Sequence, residues 1–283
     1  MPPSERPRGT AFLPPTHLAP GWSALRDSLL ELGTVVVAFS GGTDSAFLAW
    51  AARNVLGRSA VEAVTAISPS LASGELEHCQ ALATEWDLPW RGVSTNEMDN
   101  PAYVANAGDR CYWCKAELMD VIGPVATSAA ATPVLGVNVD DLGEHRPGQR
   151  AAGERGARFP LVEAGLTKDA VRALSKAAGL RTWDRPAAAC LSSRLPYGTP
   201  VTLGRLSMVD RAESAVRALG FAQLRVRHYD DTARIEVAAS DFEALLRVRQ
   251  EVVAAIKDAG YRYVTLDLEG FRSGNLNQAL QDL

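Results

Sequence analysis

The chain has 283 residues, of which 47% are hydrophobic and 22% are charged, so it can form one large or two ordinary domains with a sizeable core. Its formal net charge of −4 does not indicate nucleic acid as a partner. It contains no run of about twenty apolar residues that would indicate a membrane partner. Residues 1–20 are rich in proline and have no apolar signal-peptide core, which predicts a flexible N-terminal tail and a cytoplasmic protein.

Strands and helices alternate after this tail. Apolar runs predict strands at 35–39, 61–67, 90–94 and 133–139, and helical periodicity predicts helices at 22–32, 46–56, 74–86 and 110–130, the last broken at Gly123-Pro124. This alternation predicts the α/β class, with a Rossmann-like domain over residues 21–199 that has a parallel sheet and helices on both faces. Right-handed crossovers then bring the carboxyl ends of the strands to one edge, where such sheets bind ligands.

A smaller C-terminal α/β domain is predicted for residues 200–283. It contains predicted helices at 202–219 and 241–259, paired strands at 224–227 and 234–237, and a last strand at 261–268. Before it, residues 140–159 and 181–199 are predicted to be irregular, and a helix capped by Thr167 separates them. Loops of this length in a compact domain are usually functional.

A glycine-rich segment, Ser40–Ser45 with the sequence SGGTDS, follows the first predicted strand and opens a helix. This order makes an anion-binding device, because glycines allow close backbone approach and the first helix amides point outward as donors. Its predicted ligand-binding members are Ser40, Gly41, Gly42, Asp44 and Ser45. A carboxylate beside phosphate implies a cation between them, so Asp44 predicts Mg²⁺. The alternative is a glycine turn that only joins strand to helix.

The four cysteines are expected to be reduced, which favours metal binding or chemistry over disulfides. Cys111 and Cys114 form a Cys-x-x-Cys between Arg110 and Lys115, whose positive charges favour thiolates. Together with Cys190 they can hold three irons of a [4Fe-4S] cluster and leave one iron open for hydrosulfide. The alternative for Cys190 is a small buried apolar residue.

Polar residues after the fourth strand and on a C-terminal strand are further candidates. Gly136 and Asp140 follow that fourth strand, so Asp140 is a second predicted Mg²⁺ ligand, and Arg146 could meet an anionic substrate. The alternative is an acidic surface loop. Arg225 and Arg227 alternate on a strand and share one face, which suits a phosphate or carboxylate, or else an exposed ladder paired with acidic neighbours such as Glu236.

Several stretches together resemble the LarE family of PP-loop ATP pyrophosphatases. They are Ser40–Ser45, Arg110–Lys115, Gly136–Gly148, Pro160–Thr167, Trp183–Thr202 and Tyr261–Asn277. Ser-Gly-Gly-x-Asp-Ser is similar to the PP-loop of enzymes that split ATP between its α and β phosphates, and PAAACLSSRLPYGT around Cys190 is more specific still. LarE enzymes install sulfur during synthesis of the nickel-pincer nucleotide cofactor of lactate racemase.

The resemblance implies a two-stage reaction on a small nucleotide substrate. ATP adenylates a carboxylate of pyridinium-3,5-biscarboxylic acid mononucleotide and releases pyrophosphate, and sulfur then displaces AMP to leave a thiocarboxylate. The PP-loop, Gly136 and Arg146 would bind the nucleotides, and Mg²⁺ on Asp44 and Asp140 would neutralise the departing pyrophosphate.

The sulfur source divides the family. Members with only the cysteine matching Cys190 sacrifice its sulfur and become dehydroalanine, whereas members with a cysteine trio hold a [4Fe-4S] cluster. The presence of Cys111 and Cys114 implies the cluster type. The resemblance also implies that Arg225 and Arg227 bind the substrate phosphate, that Glu213 helps to bind metal, and that the protein is a homo-oligomer, such as a hexamer.

Two other classes of function fit part of these observations. Another PP-loop enzyme, such as a tRNA thiolase or a glutamine-fed synthetase, should show a basic face or a glutaminase domain, and neither is evident in the sequence. A non-enzymatic nucleotide-binding or iron-sulfur sensing protein would bind ATP without releasing pyrophosphate.

Overall fold

The computed structural model describes residues 12–143, 147–185 and 190–272. The first part of the chain forms a four-stranded sheet with the strand order β3-β2-β1-β4, and every neighbouring pair is parallel. The strands are β1 (Val35–Ala38), β2 (Val61–Ile67), β3 (Trp90–Ser94) and β4 (Thr132–Leu135). The parallel order places the carboxyl ends of all four strands at one edge of the sheet.

Helices cover both faces of this sheet. They are α1 (Ala19–Leu32), α2 (Thr43–Leu56), α3 (Glu75–Glu85), α4 (Pro101–Val104), α5 (Arg110–Ser128), α6 (Pro147–Glu154), α7 (Pro160–Glu163) and α8 (Lys168–Ala177). On one face α1, α2 and α8 bury an apolar core that includes Leu25, Phe47 and Leu174. On the other face α5 packs Leu118 and Ile122 against the sheet. The predicted α/β class and Rossmann-like layering are thereby confirmed.

The second part of the chain forms a smaller sheet with the order β5-β6-β7. Its strands are β5 (Leu224–Tyr229), β6 (Thr232–Val237) and β7 (Tyr263–Leu266), and its helices are α9 (Leu203–Ala218), α10 (Phe242–Arg247) and α11 (Arg249–Asp258). Strands β5 and β6 are antiparallel, whereas β6 and β7 are parallel. This unit has its own apolar core, in which Val226, Ile235 and Ile256 are buried.

Four elements differ from the sequence-based expectation. Helix α5 continues past the predicted break, because Pro124 lies on the exposed side, where water can satisfy the carbonyl that loses its partner. The predicted irregular stretch 140–159 contains α6, and the predicted helix 241–259 is two helices that meet at Val248. The fourth strand ends at Leu135 instead of continuing to residue 139.

Ordered structure also extends into the stretch predicted as a flexible tail. Helix α1 begins at Ala19, and the ring of Phe12 packs edge-on against Trp22 at 4.9 Å and Trp50 at 5.2 Å between centroids. The domain division at residues 199 and 200 stays a prediction. A small apolar cluster crosses it, with Tyr103 and Leu191 on one side and Leu206 on the other. None of the helices in the described ranges is long and apolar enough to span a membrane.

Candidate active site

The PP-loop joins β1 to α2 at the carboxyl edge of the parallel sheet. Gly41 has φ +70°, and a Cβ there would lie 2.9 Å from His78 Cδ2 and 3.0 Å from Cys79 Sγ. Gly136, just after β4, lies even closer to the PP-loop, because a Cβ added to it would lie 2.7 Å from the backbone nitrogen of Ser45. Both positions therefore require glycine, and the two loops pack together without side chains between them.

Hydroxyl groups hold the PP-loop around the first turn of α2. The Oγ atoms of Ser40 and Ser45 are 3.0 Å apart, and Ser45 Oγ also accepts the Ser40 amide at 3.2 Å. Helix α2 begins at Thr43, directly after its N-cap Gly42. The amides of that first turn have no carbonyl partner within the helix, so the loop combines hydroxyl and amide donors in the way an anion needs.

Lys168 connects the two carboxylates that the sequence predicts as Mg²⁺ ligands. Its ammonium group forms an ion pair with Asp44 Oδ2, and its backbone amide donates to Asp140 Oδ2 at 2.7 Å. The other oxygen of Asp44, Oδ1, is buried and has no hydrogen-bond partner in the part of the chain that the structure describes. Lys168 was not predicted as a site residue, although a lysine at the first position of α8 is a signal, since the positive end of the helix dipole disfavours a cation there.

A second cation, Arg185, binds the backbone of the PP-loop. Its Nη1 donates to the Gly41 carbonyl at 3.0 Å, and its Nη2 contacts both oxygens of Glu75 at 2.9 and 3.0 Å. His78 Nε2 lies 3.2 Å from the same Gly41 carbonyl. Burial and the neighbouring Arg185 charge lower the pKa of His78, which favours the neutral ring. No local sequence pattern predicts this arrangement, because its residues lie far apart along the chain.

Cys111 and Cys114 lie at the start of α5, and their spacing of three residues places them on one helix face. Cys111 and Cys190 are exposed, whereas Cys114 is partly buried. Burial raises the pKa of Cys114 to about 12, and the negative charges of Cys190 and Cys111 add to that shift. The three thiols are therefore close enough to influence one another. Cys79 is buried in the apolar core, as the sequence indicated.

Arg110 is the buried cation of this cysteine group. It donates to Asn106 and, at 2.9 Å, to the carbonyl of Ser192. Burial opposes its charge, but the negative charges of Cys190 and Cys111 outweigh this effect and raise the pKa of Arg110. Within the described ranges, no three His, Cys, Asp or Glu side chains are grouped so that they could hold a metal ion. The metal roles of the three cysteines therefore stay predictions.

The two candidate arginines of β5 have different surroundings. Arg227 is buried and paired with both oxygens of Glu236 at 2.9 and 3.0 Å, and it also donates to the Ser193 carbonyl at 2.7 Å. Arg225 has no carboxylate partner among the described residues; it donates to the Arg272 carbonyl at 3.3 Å, and Phe271 stacks on its guanidinium at 4.5 Å. Burial, Arg194 and Arg227 lower the pKa of Arg225 to about 10.

Glu213 is occupied by protein partners. It pairs with Arg194 at 2.7 and 3.1 Å and accepts the Val226 amide at 3.0 Å. Its predicted metal role stays a prediction, and these bonds give it a structural role between α9 and β5. Arg194 also donates to the Cys190 carbonyl at 3.2 Å, so the Arg194–Glu213 pair contacts the segment that contains Cys190. Arg146 lies outside the described residues.

Three relatives cover most of the chain, whereas no protein-family model matches it. An uncharacterized protein of Synechocystis is 46% identical over 90% of this chain and 96% of its own length. An uncharacterized protein of Methanocaldococcus jannaschii is 24% identical over 84% of this chain and 91% of its own. Pyridinium-3,5-bisthiocarboxylic acid mononucleotide synthase of Lactiplantibacillus plantarum is 37% identical over 93% of this chain and 96% of its own. With that identity over nearly the full length of both proteins, the chain belongs to the LarE family, the family of this synthase.

Proposed function

We propose that the protein is an ATP-dependent sulfur transferase of nickel-pincer nucleotide cofactor biosynthesis, which converts a carboxylate of pyridinium-3,5-biscarboxylic acid mononucleotide into a thiocarboxylate. The observation that carries the proposal is the joint placement of two kinds of site. The PP-loop lies at the carboxyl edge of the sheet, and Cys111 and Cys114 lie at the start of α5 beside Arg110, which donates to the Ser192 carbonyl two residues after Cys190. Membership of the LarE family supports this combination.

The PP-loop would carry out the activation half of the reaction. A substrate carboxylate oxygen attacks the α-phosphorus of ATP, the bond from that phosphorus to the bridging oxygen breaks, and the electron pair leaves with pyrophosphate. The amides of α2 and the hydroxyls of Ser40 and Ser45 are donors for the charge that develops. Mg²⁺ would fit beside them, because Asp44 Oδ1 is buried with no partner from the described ranges and Asp140 accepts the backbone amide of Lys168, whose ammonium group pairs with Asp44.

The cysteine group would serve the sulfur-transfer half. The proposed [4Fe-4S] cluster would be held by Cys111, Cys114 and Cys190, whose thiols are the donors that such clusters take. The described side chains are not grouped as a metal site, so the type of donor alone supports this part of the proposal. When bound, such a cluster supplies sulfide from its open iron. The chain's own part would be to keep Cys111 and Cys190 exposed and to hold the Cys190 backbone through Arg194.

Arg225 is the best-placed group for the substrate phosphate. Its guanidinium is buried, carries excess positive charge beside Arg194 and Arg227, and has no carboxylate partner among the described residues. Such a cation gains from an incoming phosphate because the phosphate supplies the missing negative charge. Arg227 contributes through its charge and by holding the Ser193 carbonyl, since Glu236 already occupies its donors.

The test is anaerobic incubation of the protein with ATP, Mg²⁺, sulfide and pyridinium-3,5-biscarboxylic acid mononucleotide. We expect pyrophosphate release that depends on this substrate, a thiocarboxylate product, about four irons per chain and an unchanged chain mass. Loss of one sulfur from the chain, or one full turnover by Cys111→Ala, would instead support sacrifice of Cys190. Pyrophosphate release that requires tRNA would replace the proposal by a tRNA thiolase.

A further inference from the structure

We propose that Tyr103 is a positioning residue for sulfur transfer, which fixes the backbone next to Cys190 on the carboxyl edge of the parallel sheet through a ring of three buried hydroxyl groups. The ring consists of the hydroxyls of Ser70, Tyr103 and Ser192. The inference rests on the proposed function and adds to it a residue that sets where the sulfur-bearing segment lies relative to the activated carboxylate.

The three hydroxyl groups form a closed hydrogen-bonded ring. Tyr103 Oη lies 2.5 Å from Ser70 Oγ and 2.6 Å from Ser192 Oγ, and the two serine oxygens are 2.7 Å apart. Ser70, Tyr103 and Ser192 are 3%, 1% and 0% exposed, so water has little access to the ring. Each hydroxyl can donate one hydrogen bond and accept another within such a ring, and all three are therefore satisfied by one another.

The ring connects the sheet to the segment that contains Cys190. Ser70 follows β2 at the carboxyl edge, Tyr103 lies in α4, and Ser192 comes two residues after Cys190. A backbone bond runs beside the ring, since the Leu191 amide donates to the Ser70 carbonyl at 2.8 Å. The segment after Cys190 is therefore held at the same edge of the sheet that carries the PP-loop.

A further bond to Ser192 comes from Arg110, the residue before Cys111. Arg110 donates to the Ser192 carbonyl at 2.9 Å, whereas Tyr103 contacts the Ser192 hydroxyl. The backbone and the side chain of Ser192 are thus held by the neighbouring helices α5 and α4. The position of Ser192 therefore relates the Cys190 segment to the helix that carries Cys111 as well as to the sheet.

The surroundings of Tyr103 favour a positioning role over proton transfer. Burial raises the pKa of Tyr103, and the negative charges of Cys190 and Cys114 add to this effect, although the hydrogen bonds to Ser192 and Ser70 oppose it. The phenol therefore keeps its proton at neutral pH. It acts as a member of the hydroxyl ring and not as a base.

The placement of the sulfur matters because an adenylated carboxylate can react in two ways. The sulfur nucleophile forms a bond to the carbonyl carbon, the bond from that carbon to the phosphate oxygen breaks, and AMP leaves with the electron pair. Water can attack the same carbon instead, which returns the carboxylate and AMP and releases protons to the solvent. A displaced sulfur-bearing segment slows only the first reaction, so pyrophosphate is released without a thiocarboxylate product.

The experiment compares Tyr103→Phe with the wild type and with Tyr261→Phe. Tyr261 is a matched control, because its hydroxyl is also buried but lies 3.1 Å from His228 Nδ1 on β5. Under anaerobic conditions with ATP, Mg²⁺, sulfide and pyridinium-3,5-biscarboxylic acid mononucleotide, the measured quantity is the thiocarboxylate formed per pyrophosphate released. Tyr103→Phe should lower this ratio about tenfold or more and keep pyrophosphate release within about twofold of the wild type. Tyr261→Phe should keep the wild-type ratio.

Amide hydrogen exchange tests the same inference without substrate. The Leu191 amide should exchange about five- to tenfold faster in Tyr103→Phe, because loss of a buried hydrogen bond makes local opening easier. The Phe39 amide, which donates to the Val64 carbonyl at 2.8 Å, is the internal reference and should exchange as in the wild type. Equal acceleration of both amides would indicate a loss of overall stability and would overturn the positioning role.

The exchange measurement does not depend on the reaction, so the two proposals can fail separately. If the wild type forms thiocarboxylate but Tyr103→Phe keeps the wild-type ratio, or lowers it without faster exchange at Leu191, only the inference fails. If the wild type forms no thiocarboxylate, the proposed function fails. Faster exchange at Leu191 in Tyr103→Phe would then still show that the ring fixes the backbone next to Cys190.

Discussion

The Lys168–Asp44 ion pair at the PP-loop differs from the Arg227–Glu236 pair of the C-terminal sheet in its contact with water. Side chains of the Lys168–Asp44 pair are 33% and 17% exposed, whereas those of the Arg227–Glu236 pair are 2% and 0% exposed. Water can solvate the separated charges of the first pair, so its partners can be exchanged at little expense. Breaking the second pair leaves a buried charge without a partner. The first region is therefore suited to rearrangement and the second to rigid support.

The rigid pairs hold the backbone that follows Cys190. Arg194 donates to the Cys190 carbonyl while it pairs with Glu213, and Arg227 donates to the Ser193 carbonyl while it pairs with Glu236. Each arginine is thus held in place by a buried carboxylate and in turn holds the backbone between Cys190 and Ser193 through a hydrogen bond. The same pairs occupy Glu213 and Glu236, and Arg225 has no carboxylate partner among the residues that the structure describes, so an anionic ligand could compensate its charge.

The largest effect is expected from removing a buried carboxylate. Glu236→Ala should lower the free energy of unfolding by about 3–5 kcal/mol, because Arg227 would be left buried and unpaired. The measurement is urea unfolding at neutral pH. The matched control is Glu243→Ala, which breaks an exposed pair with Arg247 and should change stability by at most about 0.5 kcal/mol. Equal effects in the two variants would show that burial does not distinguish the pairs.

Asp44→Ala tests the partly exposed Lys168–Asp44 pair, whose partners we expect to be exchangeable. It should reduce pyrophosphate release by about a hundredfold or more, because it removes the proposed Mg²⁺ ligand at the position where charge would develop. Its stability should change by less than about 1 kcal/mol, since the pair with Lys168 is partly exposed. Pyrophosphate assays and urea unfolding measure the two quantities, and Asp120→Ala, an exposed acidic residue on α5, is the control. Undiminished release would remove Asp44 from the metal site.

Arg225→Met tests whether Arg225, which has no carboxylate partner among the described residues, differs in its role from Arg194 and Arg227, which are paired. It should weaken binding of the proposed substrate mononucleotide by about tenfold or more, because the proposed charged hydrogen bond to its phosphate is lost. It should not lower the free energy of unfolding, because no ion pair is broken and a desolvated charge is removed. Calorimetric titration and urea unfolding test both halves. A destabilisation as large as that of Glu236→Ala would contradict the distinction between Arg225 and Arg227.

Local signals predicted most of the fold, whereas the charge network could not be predicted. The strands at 61–67 and 90–94 and the Thr167 cap depend on neighbouring residues, and the structure has them as predicted. The Lys168–Asp44 pair joins residues 124 positions apart, so no spacing rule reveals it. Two alternatives were predicted for the β5 arginines, binding of an anion or pairing with an acidic neighbour. Arg227 is paired with Glu236, although in a buried setting, whereas Arg225 has no carboxylate partner among the described residues.

The smallest expected effect is a pH dependence of stability that arises from one histidine in each region. Burial and a nearby arginine, Arg185 for His78 and Arg205 for His228, lower both pKa values below the ordinary 6.5, so as pH falls the unfolded chain takes up protons first. Stability should therefore rise with pH up to about 6.5, with a slope of at most about 1.4 kcal/mol per pH unit from each group. His78→Asn and His228→Asn should each flatten the curve of unfolding free energy measured by urea between pH 5 and 8.

Two further measurements separate the contributions of the two histidines. Glu75 partly opposes the lowering of the His78 pKa, as Asp230 does for His228, so Glu75→Gln should steepen the curve of unfolding free energy against pH. Added Mg²⁺ and ATP analogue should change only the part of the slope that His78→Asn removes, because His78 contacts the PP-loop at Gly41 and His228 lies in the C-terminal sheet. A ligand effect on the His228 part would show that the two regions are coupled more tightly than their separate ion pairs imply.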